Sequence, residues 1–95
     1  MDTEGALALL NAQHTFPSDH RFHVIVRAGP GSAARVSASL AAFCGLDSLG
    51  DREVQVPSAK GTYVSLRVTL PCDRAETVLA VYAHLATLPE VVRYL

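Results

Sequence analysis

Apolar and polar residues alternate over residues 20–28, HRFHVIVRA: Phe22, Val24 and Val26 fall on one side, and Arg21, His23, Ile25 and Arg27 on the other. Successive side chains of a strand point to opposite faces, so this pattern predicts a half-buried strand. In GPGSAARVSASLAAFCG the spacing changes, and Ala33, Val36, Leu40 and Phe43 recur as on a helix. Pro30 suits the first helical position or Ser32 the N-cap, and Gly45 suits the position just past the end. After LDSLGD a short strand is predicted over Arg52–Val56, with Pro57–Gly61 as a hairpin connection. The strongest alternation runs from Thr62 to Leu70, where Val64, Leu66, Val68 and Leu70 oppose Tyr63, Ser65, Arg67 and Thr69. Pro71 is expected to stop it. Asp73 with Glu76 three residues later reads as a carboxylate version of the capping box. Ala75, Val78, Leu79, Tyr82, Leu85 and Ala86 form the apolar stripe of a second helix that Pro89 ends, and EVVRYL reads as a last strand.

The order strand, helix, strand, strand, helix, strand predicts an α+β fold of ferredoxin-like βαββαβ type. It is a four-stranded antiparallel sheet with two helices on one face. That domain spans residues 20–95. Residues 1–19 form a partly ordered N-terminal extension, with a helical turn or two at Ala6–Asn11 ended by Phe16-Pro17. The first and third strands, the longest and most apolar, belong in the centre. Arg21, His23, Ile25, Arg27, Tyr63, Ser65 and Arg67 then line the face that no helix covers.

Composition narrows the function. Ninety-five residues make one small domain, and 49% hydrophobic content is enough for a core. The net charge is −1, nine carboxylates against seven arginines and Lys60, which leaves no basic excess to bind a phosphate backbone. No nucleic-acid partner is expected. Asp2 and Glu4 stand where a secretory signal needs positive charge, and Ala6–Leu10 is too short for a membrane span. The expectation is a soluble, cytoplasmic protein with no membrane partner. Cys44 and Cys72 lack the spacing of a metal or redox motif, and Cys44 reads as a small buried hydrophobe. His20 and His23 fall on opposite strand faces, so neither a metal nor a cofactor is expected. Val36–Leu46 and Thr77–Pro89 carry no Asp, Glu, Lys or Arg, a shortage that a homodimer through the helices would explain.

PSAKGTYVSLRVTL, residues 57–70, opens like the signature strand of an RNA-recognition domain. The aromatic positions of that signature hold Thr62 and Val64 instead, so the stacking platform is missing. The same stretch resembles the Pro-Ser-Ser-Lys-Gly-x-Tyr-x-Ser run of the YbeD-like family of small bacterial proteins. VLAVYAHLATLPEVVRYL is similar to that family's closing helix and strand, and Phe16-Pro17 also matches, so the likeness covers about Leu9 to Leu95. The resemblance implies a ferredoxin-like fold close to ACT regulatory domains, an unassigned function and no catalytic residues. RAGPGSAARV departs from the family and looks like the Pro-Gly turn by which ACT domains help bind amino acids. Glycines there let backbone amides approach a ligand, and a helix N-terminus favours a carboxylate. The bland alternative is that glycine and proline only make the turn.

No arginine–asparagine pair placed as in acylphosphatases and no nucleophile elbow is present, so the chain is expected not to be an enzyme. Its expected role is that of a small regulatory or adaptor protein binding an unidentified protein partner through Arg21, His23, Arg27, Tyr63 and Arg67. The alternative is an ACT-like sensor taking an amino acid or small carboxylate at Gly29, Pro30 and Gly31.

Overall fold

The computed structural model describes residues 3–95; Met1 and Asp2, part of the expected N-terminal extension, lie outside the described residues. Along the chain come α1 (Thr3–Gln13), β1 (Ser18–Arg27), α2 (Ser32–Phe43), β2 (Glu53–Pro57), β3 (Tyr63–Cys72), α3 (Ala75–Leu85) and β4 (Val91–Tyr94). The four strands form one antiparallel sheet in the order β2-β3-β1-β4. β1 and β3 pair along their full lengths, from Ser18 opposite Cys72 to Arg27 opposite Tyr63.

The alternation of the two central strands sets the core. Phe22, Val24 and Val26 of β1 and Leu66, Val68 and Leu70 of β3 are buried beneath Val36, Leu40 and Ala41 of α2 and Val78, Val81 and Leu85 of α3. Both of these helices therefore cover the same sheet face. Burial of a side chain of this size stabilises by roughly 1.5–3 kcal/mol, which makes this layer the main source of stability. α1 packs on α3 and buries none of its own residues completely.

Several boundaries differ from the sequence reading, each for an identifiable reason. α1 runs from Thr3 to Gln13, beyond the turn or two expected at Ala6–Asn11. Its Ala, Leu and Gln residues favour helix, but with no buried stripe they leave no periodic signal. β1 starts at Ser18, inside the expected extension, because its pairing with β3 continues to Cys72. Pro71 does not stop β3. β2 pairs with β3 only as far as Val68, so beyond that point β3 is an edge strand, where proline is tolerated.

Helix ends differ too. Gly31, in the left-handed region at φ 71°, is the N-cap of α2, and Ser32 is the first helical residue. Ser32 is buried, and its hydroxyl donates to the Arg27 carbonyl at 2.7 Å, tying the helix start to the end of β1. Arg74, not Asp73, holds the N-cap position of α3, and no side-chain cap bond forms. Asp73 instead accepts a hydrogen bond from the Thr77 hydroxyl, which holds its carboxyl below the usual range. α3 stops at Leu85, four residues before Pro89; the Thr87 hydroxyl donates to the His84 carbonyl at 2.7 Å and closes the end. Phe43, placed on the inner stripe by spacing, is exposed and stacks on His84 at 4.5 Å between ring centroids. On α3, Val81 is buried although spacing left it off the apolar stripe, while Ala86, placed on the stripe, is exposed.

The hairpin before β3 behaves as its residues predict. Gly61 sits at φ 72° with open space around it, and its N–H donates to the Ser58 carbonyl at 3.0 Å. Lys60 is exposed. Gly61→Val is expected to destabilise the domain by about 1 kcal/mol or more, because a β-branched residue is strained at positive φ. Lys60→Ala is the control and should move the urea midpoint hardly at all; an unchanged midpoint in Gly61→Val would remove the assignment.

His20 lies on the helix side of β1, with ring centroids 5.0 Å from His14 and 4.9 Å from Phe22. Burial first, and the neighbouring His14 second, hold its pKa below the ordinary 6.5. The unfolded chain then takes up the proton first as pH falls, so folding stability declines below about pH 6.5 and the loss is complete below the folded-state value. Asp73 and Glu90, whose carboxyls are held low by Thr77 and Arg35, add a further loss at more acidic pH. Urea midpoints measured from about pH 7 to pH 5 should fall, and His20→Gln should flatten that part of the curve. A midpoint that rises with acidification in this window would contradict the assignment.

Candidate functional site

The sheet face turned away from α2 and α3 is built by register. Across β1 and β3, Arg21 lies opposite Thr69, His23 opposite Arg67, Ile25 opposite Ser65, and Arg27 opposite Tyr63. These are the outward residues that the sequence alternation places there. The neighbouring strands add four more. Val54 lies opposite Arg67 and Val56 opposite Ser65; Arg93 lies opposite Ile25; and Leu95 exchanges backbone hydrogen bonds with His23 at 2.8 and 3.0 Å.

β2 has its sides reversed relative to the central strands. Its apolar residues, Val54 and Val56, face outward and are 55% and 40% exposed. Its polar residues point toward the helix layer, where Glu53 Oε2 accepts from the Ser37 hydroxyl at 3.1 Å and from Gln55 Nε2 at 3.2 Å. A one-residue slip of register would exchange the two sides, so the arrangement is fixed by the pairing with β3. This set was missed in the sequence because β2 is too short to show which side is buried. The alternation of Glu53 and Gln55 with Val54 and Val56 is the signal that would have separated the two sides.

Electrically the face is one-sided. Arg21, Arg27, Arg67 and Arg93 are exposed and form no ion pair among the described residues. Asp19, 3.8 Å from Arg52, and Asp51, which lines the same hollow as Arg21 and Arg67, bring carboxylates to its margin. Since the whole chain has a net charge of −1, the rest of the surface is acidic. Arg21, His23, Arg52, Val54, Arg67 and Leu95 border a shallow concavity of about 700 Å³ on this face. His23 is half-buried, and its Nε2 is shielded from solvent without a hydrogen-bond partner. Buried polar atoms are nearly always paired; among the described residues this nitrogen and Glu53 Oε1, on the helix side of β2, are the side-chain exceptions.

Gly29, Pro30 and Gly31 lie elsewhere, at the exposed turn into α2. The Gly29 carbonyl accepts from Ser32 N at 3.1 Å and from its hydroxyl at 3.3 Å, and the Pro30 carbonyl accepts from Arg35 Nη1 at 3.0 Å. A Cβ added to Gly31 would come within 3.2 Å of that same guanidinium, whose Nε also donates to Glu90 at 2.7 Å. Arg35 thus closes over the turn.

The cysteines lie near each other at another edge, beside Asp19 and Asp73. Cys72 is buried, and burial first, then Cys44, Asp73 and Asp19, push its thiol up to about 11. Cys44 is only half-buried, contrary to its sequence reading, because it caps α2. Its thiol is also pushed up by burial, against the opposing pull of Arg52. Raised thiols are poor nucleophiles and poor metal ligands. Among the described residues no group of three His, Cys, Asp or Glu is placed to hold a metal, and no helix is long and apolar enough to cross a membrane. On the outer helix surface Ala34, Ala38 and Ala42 of α2 and Ala80 and Ala83 of α3 are exposed.

A family model described as "Protein of unknown function (DUF493)" matches residues 11–95, the stretch that also carries the YbeD-like resemblance. No curated protein and no solved structure matches the chain.

Proposed function

We propose that this chain, which belongs to the DUF493 family of proteins of unknown function, is a non-catalytic regulatory or adaptor module that binds a protein partner through its open sheet face. The observation that carries the reading is the reversed β2, which turns Val54 and Val56 toward solvent beside Arg67 and Tyr63. Apolar and arginine side chains on one face, with lysine absent from it, have the composition of an interface core and its anchors. The strand order and the two covering helices support a ferredoxin-like βαββαβ reading, with α1 added at its N-terminal side. The competing reading, an ACT-like sensor at Gly29–Gly31, draws on the turn alone, where Arg35 and Ser32 already engage the turn's carbonyls.

The test replaces Val54 and Val56 together by threonine and compares capture of cytosolic proteins with that of the wild type. Selective loss of one captured species supports the reading, and unchanged capture removes it. Homodimerisation through the alanine-rich helix surface is a separate expectation, since that surface lacks the charges of a solvated helix face. Sedimentation equilibrium over a wide concentration range decides it, and a strict monomer removes the dimer.

A further inference from the structure

Resting on the open-face reading, we infer that the partner element seated there is an acidic, aliphatic-rich protein segment, one of whose carboxylates enters the concavity between Arg21 and Arg67. Charge gives the first reason. Four exposed arginines without ion-pair partners among the described residues share this face, on a chain whose net charge is −1. Such segregation attracts an anionic partner, and it repels a second copy of the same face.

The concavity gives the second reason. Arg21 and Arg67 border it from adjacent strands, where a guanidinium fork matches a carboxylate in a bidentate pair. His23, half-buried, lies opposite Arg67 and lines the same concavity. Shape and apolarity give the third. Val54 and Leu95, 55% and 68% exposed, flank the arginines and offer contact to aliphatic side chains on either side of the carboxylate.

The same features separate a protein segment from an oligonucleotide. Single strands are held by successive aromatic rings under the bases. Here Ile25 and Ser65, with Val54 and Val56 beside them, separate the rings the face does carry, half-buried His23 and Tyr63 at the end beside Arg27. Aliphatic contacts alternating with arginines suit a peptide.

The experiment titrates the full chain with a labelled peptide of alternating Asp and Leu, its Asn-Leu counterpart, and a polyuridine strand of equal charge. Fluorescence anisotropy gives affinity, and methyl and amide NMR shifts give location. The inference expects saturable binding of the Asp-Leu peptide, with shifts at Val54, Leu95 and His23, and at least about tenfold weaker binding of the Asn-Leu peptide. Arg21→Gln with Arg67→Gln should weaken the acidic peptide by about tenfold or more, with an unchanged thermal midpoint, and Arg67→Lys alone should retain part of the affinity. Equal binding of the two peptides, no binding of either, or tighter binding of polyuridine would each overturn it. The Val54→Thr/Val56→Thr capture experiment keeps the two failures apart. Loss of capture together with no binding of the acidic peptide sinks this inference alone, whereas unchanged capture sinks the reading on which it rests.

Discussion

Leu66→Ala is expected to lower folding stability by about 2–5 kcal/mol, the range for removing a large aliphatic side chain from a well-packed interior. Leu66 is fully buried, opposite Val24 on one side and Gln55 on the other, in the strand that holds the sheet's centre. Neighbours in two central strands and the helices above cannot all move to fill the space, so the cavity term adds to the lost transfer energy. A domain of 95 residues has a total stability on the order of 5–14 kcal/mol, so this change removes a large part of it. Urea denaturation should show a much lower midpoint with little change in slope. Leu66→Met, which conserves volume, should cost less than about 1.5 kcal/mol. A loss below about 1 kcal/mol for the alanine variant would mean that β3 does not anchor the core.

The second large effect is on binding. Val54→Thr with Val56→Thr is expected to reduce partner capture by about tenfold or more while moving stability by less than about 1 kcal/mol. The two numbers diverge because of where the side chains point. Both valines face outward on an edge strand, so exchanging a methyl for a hydroxyl creates no buried unsatisfied group. Threonine also keeps the branched Cβ that favours a strand. Loss of stability equal to the loss of capture would instead make β2 a structural element only.

The sequence showed the central strands clearly because each is half-buried. In β1 and β3 the alternation of Phe22, Val24, Val26 and of Leu66, Val68, Leu70 against polar neighbours corresponds directly to burial. For the same reason Arg21, His23, Ile25, Arg27, Tyr63, Ser65 and Arg67 could be placed on the outer face. Val54, Val56, Arg93 and Leu95 could not, because the alternation in a strand of four or five residues separates two sides without showing which one is buried. Their placement comes from register, which is set by pairing with a distant strand. Pro71 misled for a related reason. Proline breaks a strand where a neighbouring strand needs its N–H, and whether β2 reaches that far is a tertiary fact. Helix ends were obscured by competing local bonds. Ser32 and Asp73 both have cap chemistry, but one donates to Arg27 across the β1–α2 turn and the other accepts from Thr77.

The turn at Gly29–Gly31 shows the same limit at a candidate site. Glycine and proline were legible as a turn, and the helix N-terminus as a place for an anion. The guanidinium of Arg35, lying back over the Pro30 carbonyl and linked to Glu90 from 55 residues away, was not. An anion approaching this turn meets a cation already committed to a carboxylate.

Methyl-resolved NMR of the isotopically labelled chain in unlabelled lysate of its source cells tests the central claim most directly, because it reports the contacted surface without naming the partner in advance. If the open sheet face is the docking surface, the methyls of Ile25, Val54, Val56 and Leu95 shift or broaden, while buried Val24, Leu66 and Val68 keep their positions. The claim is contradicted if those four outward methyls stay unchanged while the responses concentrate at Ala34, Ala38, Ala80 and Ala83 on the helix surface, or around the Gly29–Gly31 turn.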